Sequence, residues 1–160
     1  ISGFEAMTET VAEAIAKKRD GGRLVTVAAG ALVRDAVETL VEERLGAVLI
    51  ENEDGLIDGI FTERDLLIRV VHARRDPDTT PISMVMTRDI RFVSPGTTVE
   101  AALALMHVNR FRHLIVMDGP RVLGLVSSGD MVGEILLRGE GRFEAAVRQK
   151  VETTAPPEKA

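Results

Sequence analysis

The chain has 160 residues, 45% of them hydrophobic, with a formal net charge of −5 and no cysteine. A pI near 5.3 speaks against a general nucleic-acid binder, which presents a basic face. The lack of Cys removes disulfides, thiolate nucleophiles and Cys-based zinc sites. No apolar run approaches the roughly 18–20 residues that span a bilayer; the longest, residues 66–71, is interrupted by Arg69. Aromatics make up only 3%, so aliphatic side chains and Met must fill the core.

Residues 1–10 read as an extension, with Met7 a candidate native start after a cloning remnant or a cut from a longer chain. The opening has neither the basic nor the apolar stretch of a secretory signal. With the absence of Cys, this predicts a cytoplasmic protein. Val25, Thr26 and Val27 then predict a short strand. After Gly30, apolar residues at Val33, Ala36, Val37, Leu40 and Val41 lie at the spacing of one helix stripe. A run from Ala47 to Ile50, the turn Asp54-Gly55 and a second run from Leu56 to Phe61 form a hairpin pattern. A helix carrying Leu66, Leu67, Val70 and Val71 follows Thr62.

The same order returns later. Phe92-Val93 precedes Pro95-Gly96, and a stripe of Val99, Ala102, Leu103 and Met106 comes next. His113 to Val116, the turn Asp118-Gly119-Pro120 and Val122 to Val126 form the second hairpin. Beyond it a helix starts near Ser127 and carries Met131, Val132, Ile135 and Leu136. Self-similarity at this period marks an internal repeat. The prediction is an α+β fold of two β-α-β-β-α units, residues 11–80 and 81–138, packed with pseudo-twofold symmetry. Neither unit buries its sheet and helix stripes alone. Residues 139–160 predict a closing helix around 142–150 and a disordered tail.

The repeats share one motif, Gly-apolar-apolar-Ser/Thr-x-x-Asp, at Gly59, Thr62 and Asp65 and again at Gly124, Ser127 and Asp130. Its plain reading is a helix cap, in which the hydroxyl serves an orphan N–H and the acid returns the favour. Its functional reading is a nucleotide grip. A helix N-terminus seats phosphate, a short carboxylate accepts from a ribose diol, and Gly lets a ligand or a neighbouring backbone come close. Occurrence in two copies, both with Asp, favours the grip.

With both copies in view, the chain resembles tandem CBS domains, also called a Bateman module. Val85-Met86-Thr87 resembles the family's lead-in to a second repeat, and Arg112 to Val116 resembles its Arg-His-Leu-Pro-Val strand with Ile115 in place of proline. The resemblance implies clefts for adenine nucleotides or S-adenosylmethionine as regulatory ligand, with no catalytic cofactor. It implies that Asp65 and Asp130 grip ribose and that Thr62 and Ser127 lie at the ribose–phosphate end. Thr87, Ile90 and Arg91 are expected to border adenosine in the second cleft, with Arg112 and His113 near phosphate. The first repeat has Gly46 and Ala47 in place of that basic pair, so the second cleft is the expected stronger site.

Arg88, Arg91, Arg110, Arg112 and His113 form a basic set in an acidic chain, read either as solvated charge or as a phosphate clamp. His107 is expected at the edge of the core, and the Met residues as gap fillers within it. No histidine spacing suggests a metal site. No Walker loop, dinucleotide fingerprint, zincin motif or Cys nucleophile is present, so a non-catalytic sensor is expected, as a homodimer acting on a protein target. A ligand-free dimerisation scaffold, or a regulatory fragment of a larger enzyme or transporter, is the alternative.

Overall fold

The computed structural model describes residues 9–18 and 21–137. Helix α1 (Val11–Ala16) precedes β1 (Thr26–Ala28), α2 (Val33–Glu43), β2 (Ala47–Glu51) and β3 (Ile57–Thr62). Helix α3 begins at Glu63–Asp65 and continues as a π-helix over Leu66–His72. A 3-10 turn at Ile82–Met84 leads to β4 (Phe92–Val93), α4 (Val99–Asn109), β5 (His113–Asp118), β6 (Arg121–Ser127) and α5 (Ser128–Leu137). The predicted helix around 142–150 and the tail lie outside the described residues.

Two three-stranded sheets result, β1-β2-β3 and β4-β5-β6, each with its first pair parallel and its second antiparallel. A parallel pair needs a crossover, which α2 and α4 supply. The antiparallel pairs close through short turns whose Gly55 and Gly119 take φ of 76° and 57°, a region where Gly carries no Cβ penalty. The α+β expectation of paired β-α-β-β-α units is met.

The repeats exchange their lead-ins. Val11, Ala14 and Ile15 of α1 are buried in the core of the second unit, with Val99, Met106, Leu114 and Met131. Ile82, Val85 and Met86 are buried in the core of the first, with Val33, Leu40, Val48 and Phe61. The backbone bonds are matched. Val33 N–H donates to Thr80 O and Ile82 N–H to Ala31 O, while Val99 N–H donates to Glu9 O and Val11 N–H to Thr97 O, all at 2.8–2.9 Å. Lys17 further holds α1 to α5 through Glu134 at 3.3 Å. Each core is thus completed from the other half of the sequence, the physical form of the expected pseudo-twofold packing.

The helix stripes are used only in part. On α2, Val33, Ala36 and Leu40 are buried, but Val41 is exposed. On α3, Val70 is buried and Leu66 half-buried, whereas Leu67 and Val71 face solvent. The π geometry widens the turn beyond 3.6 residues, so a stripe counted at α spacing drifts off the core. Val132 and Ile135 of α5 are likewise exposed. His107 is exposed rather than at the core edge, because it follows the buried Met106 by one residue, about 100° round the helix. Met86, Met106 and Met131 fill the core as expected, but Met84 is exposed.

Candidate functional site

Each repeated motif forms the cap its sequence allows. Thr62 Oγ1 accepts from Asp65 N–H at 3.2 Å, and Thr62 N–H donates to Asp65 Oδ2 at 3.0 Å. Ser127 and Asp130 make the same pair of bonds at 3.0 and 2.9 Å. Both are reciprocal capping boxes with Asp in the usual Glu position. The local role of the motif is therefore real in both copies, and any ligand role is added to it.

What the carboxylates meet next differs. Asp65 is 7% exposed; its Oδ1 accepts from Thr87 Oγ1 at 3.0 Å, with Arg69 Nε 3.6 Å away. Asp130 has a more open side chain and meets Lys18 Nζ at 3.2 Å, and the same ammonium donates to Leu125 O at 3.1 Å. Thr87 and Lys18 both follow exchanged lead-ins, so each motif receives its capping partner from the other half of the chain. The glycines serve this exchange. A Cβ on Gly59 would stand 2.7 Å from Thr87 O and 2.8 Å from Met86 Sδ, and one on Gly124 would stand 3.1 Å from Ile15 Cδ1. At both positions a protein segment comes close enough to favour Gly.

A cavity of about 770 Å³ opens beside Asp65. Ile60, Thr62, Glu63 and Asp65 line it from the first repeat, and Thr87, Arg91, Arg112, His113 and Ile115 from the second. Gly46, Leu67, Ile68 and Phe111 complete its apolar parts. Five arginines face three carboxylates around it, so the lining is net cationic within an acidic chain. Two of the arginines are occupied: Arg69 donates to Met86 O at 2.9 Å, and Arg91 pairs with Asp89 at 2.8 Å. Among the described residues, Arg64, Arg110 and Arg112 have no ion-pair partner.

The cavity draws together residues from both repeats. Thr87, Arg91, Arg112 and His113, expected at a second cleft with Asp130, line a cavity together with Thr62 and Asp65. Gly46 lines the same cavity next to the His113 ring, where a Cβ would stand 3.5 Å from His113 Nε2. Gly124, Ser127, Asp130, Gly59 and Ile90 do not line it. The reason is the exchange of segments. The β5 backbone is hydrogen-bonded to the second motif, with His113 opposite Ser127 in register and Arg112 O accepting from Ser128 N–H at 2.8 Å. Arg112 and His113 nevertheless contribute to the cleft of the first motif.

His113 is half-buried, and burial lowers its pKa below the ordinary imidazole range. Asp130 and Glu63 oppose that shift, while Lys18 and Arg112 reinforce it. No group of three or more His, Asp or Glu among the described residues could hold a metal ion. Arg64 and Arg69 were missed as lining residues. Arg64 is one of the variable positions inside the motif, and Arg69 lies one helical turn beyond Asp65, so helix spacing pointed to the second of them.

The fold has counterparts among known proteins. A family profile described as the CBS domain matches twice, at residues 11–72 and 82–137. The mitochondrial CBS domain-containing protein CBSX3 of Arabidopsis thaliana is 33% identical over 140 residues, covering 84% of this chain and 68% of that protein. CBSCBSPB2 of the same plant is 31% identical over 86% of this chain, which spans only 25% of that protein's length. The structure of a CBS-domain protein from Burkholderia ambifaria superposes with a TM-score of 0.76 at 36% identity, covering 80% of this chain and 94% of that one. A hexameric CBS-CP12 protein from bloom-forming cyanobacteria superposes with a TM-score of 0.63 at 28% identity, over 80% of this chain and 67% of that one. With the profile matched by both halves, and the exchanged lead-ins explaining why the halves come as a pair, the chain belongs to the CBS-domain family as a tandem of two such domains.

Proposed function

We propose that the chain is a non-catalytic sensor holding an adenosine-type ligand, AMP, ADP, ATP or S-adenosylmethionine, in the cleft beside Asp65. CBS-domain proteins are typically regulatory modules. The observation that carries the reading is the meeting of a capped, buried carboxylate, a hydroxyl from the other repeat and unpaired arginines around about 770 Å³. That volume falls within the roughly 300–1,000 Å³ of small-molecule sites. Asp65 Oδ1 would exchange the Thr87 hydroxyl for a ribose diol. Occupancy would then loosen or tighten the seam between repeats, to the extent that the ligand prefers one arrangement. Calorimetry of ligand-stripped protein against the four ligands tests this, and no heat from any of them overturns it.

A second reading concerns assembly. Leu67, Ile68 and Val71 on α3 and Val132 and Ile135 on α5 are exposed apolar residues on equivalent helices, and the cyanobacterial relative is hexameric. We infer self-association through these helices, as a homodimer, with a protein target reading its state. Among the described residues no helix is long and apolar enough to cross a membrane, and the Cys-free composition suits a cytoplasmic setting.

A further inference from the structure

We propose that His113 makes anion capture in this cleft proton-linked: a phosphate-bearing ligand enters together with one proton on the His113 imidazole, and an uncharged nucleoside does not. The proposal rests on reading the cleft as a ligand site.

The geometry comes first. His113 lines the cavity beside Arg112, and its ring packs against the first repeat. A Cβ on Gly46 would lie 3.5 Å from His113 Nε2 and 3.8 Å from Glu63 Cδ, so the ring and that carboxylate converge on one point of the wall. Among the described residues the ring has no hydrogen-bond partner. A half-buried imidazole without a partner, at the edge of a cavity, is an open donor or acceptor.

Four charged groups act on it: Glu63 at the start of α3, Asp130 on α5, Lys18 beyond α1 and Arg112 just before β5; the paired strand β6 places uncharged Ser127 opposite it. Burial, with Lys18 and Arg112 acting in the same direction, outweighs the two acids and favours the neutral ring in the empty cleft. A phosphate dianion seated at Arg112 adds negative charge that no protein group supplies. In a partly dehydrated site this favours the imidazolium. The proton comes from solvent, so binding takes up a proton, and affinity for the anion rises as pH falls. Adenosine brings no such charge, and S-adenosylmethionine brings a sulfonium cation that protonated His113 would repel.

The test compares AMP with adenosine by calorimetry, in buffers of differing ionisation enthalpy, on the intact chain and on His113→Gln. For the wild-type chain, AMP affinity should rise about fivefold from pH 7.5 to 6.0 with net proton uptake, and adenosine affinity should stay flat. In His113→Gln the AMP dependence should shrink to the contribution of the nucleotide's own phosphate, which titrates near pH 6. The imidazole titration of His113, followed by NMR, should move upward on adding AMP. AMP binding with an unmoved His113 midpoint, or with equal proton uptake in both chains, overturns this proposal and leaves the ligand reading standing. Absence of binding by AMP and by the other three ligands overturns both.

Discussion

Thr87, in the segment leading into the second repeat, gives its hydroxyl hydrogen to Asp65 Oδ1 of the first repeat at 3.0 Å. The backbones of Thr87 and Ile60 exchange both hydrogen bonds beside it, at 2.8 and 2.9 Å. A capping box in one half of the chain is thus wired to a loop of the other half. Thr87→Val keeps the shape and leaves a buried carboxylate oxygen short of one donor. Equilibrium denaturation should show a loss of about 1–2 kcal/mol, and an unchanged midpoint would mean that water serves Asp65 equally well.

The glycines offer a graded comparison. Gly59→Ala forces a Cβ to within 2.7 Å of Thr87 O, and backbone cannot yield cheaply, so a cost of about 1–3 kcal/mol is expected. Gly124→Ala meets only the end of the Ile15 side chain at 3.1 Å and should cost less. Gly96→Ala has open space and should be neutral or slightly stabilising. Thermal melts of the three variants should rank in that order.

Arg112→Ala removes an exposed guanidinium with no ion-pair partner among the described residues. Loss of a charge-assisted contact to phosphate should weaken AMP binding by about 10–100-fold, while the melting temperature stays within about 2 °C. Calorimetry and a thermal melt on the same sample separate the two effects. Glu53→Gln, in the exposed turn between β2 and β3 and outside the cavity, should leave AMP affinity unchanged.

Burial holds the His113 pKa below its unfolded value near 6.5. In the window between the two values the unfolded chain binds more protons, so stability rises with pH there. The contribution is fully present above about pH 6.5 and is lost as pH falls through the unfolded value toward the folded one. Wild-type protein should therefore lose stability relative to His113→Gln between about pH 7 and 5. Parallel pH profiles of the two would show no divergence if the ring were freely solvated.

Self-association through the exposed helix faces predicts that Val71→Glu with Val132→Glu yields a monomer in light scattering. An unchanged mass would place the interface elsewhere. Both side chains are solvent-facing, so folding should survive, with far-UV circular dichroism as the check.

Much of the fold was legible because its signals are local. Strand runs, the turn glycines Gly55 and Gly119 and the caps at Thr62 and Ser127 depend on neighbours within a few residues, and repetition made each half support the other. The π turn after Asp65 was not legible, since Leu66, Leu67, Val70 and Val71 have the same spacing in either helix type. Its consequence, Val71 exposed beside buried Val70, depends on packing.

The sequence by itself determined the two units, the motif in each and the chemistry of the candidate site: carboxylate, hydroxyl, arginine, imidazole. Only the tertiary structure decided which of these meet. Linear order places Arg112 and His113 in the same repeat as Ser127 and Asp130, and strand pairing keeps their backbones beside that motif. Burying α1 against the second sheet and residues 82–86 against the first crosses the two halves. That crossing brings Thr87 to Asp65 and sets Arg112 and His113 around the first motif's cleft, because each unit can close its apolar core only with a segment borrowed from the other.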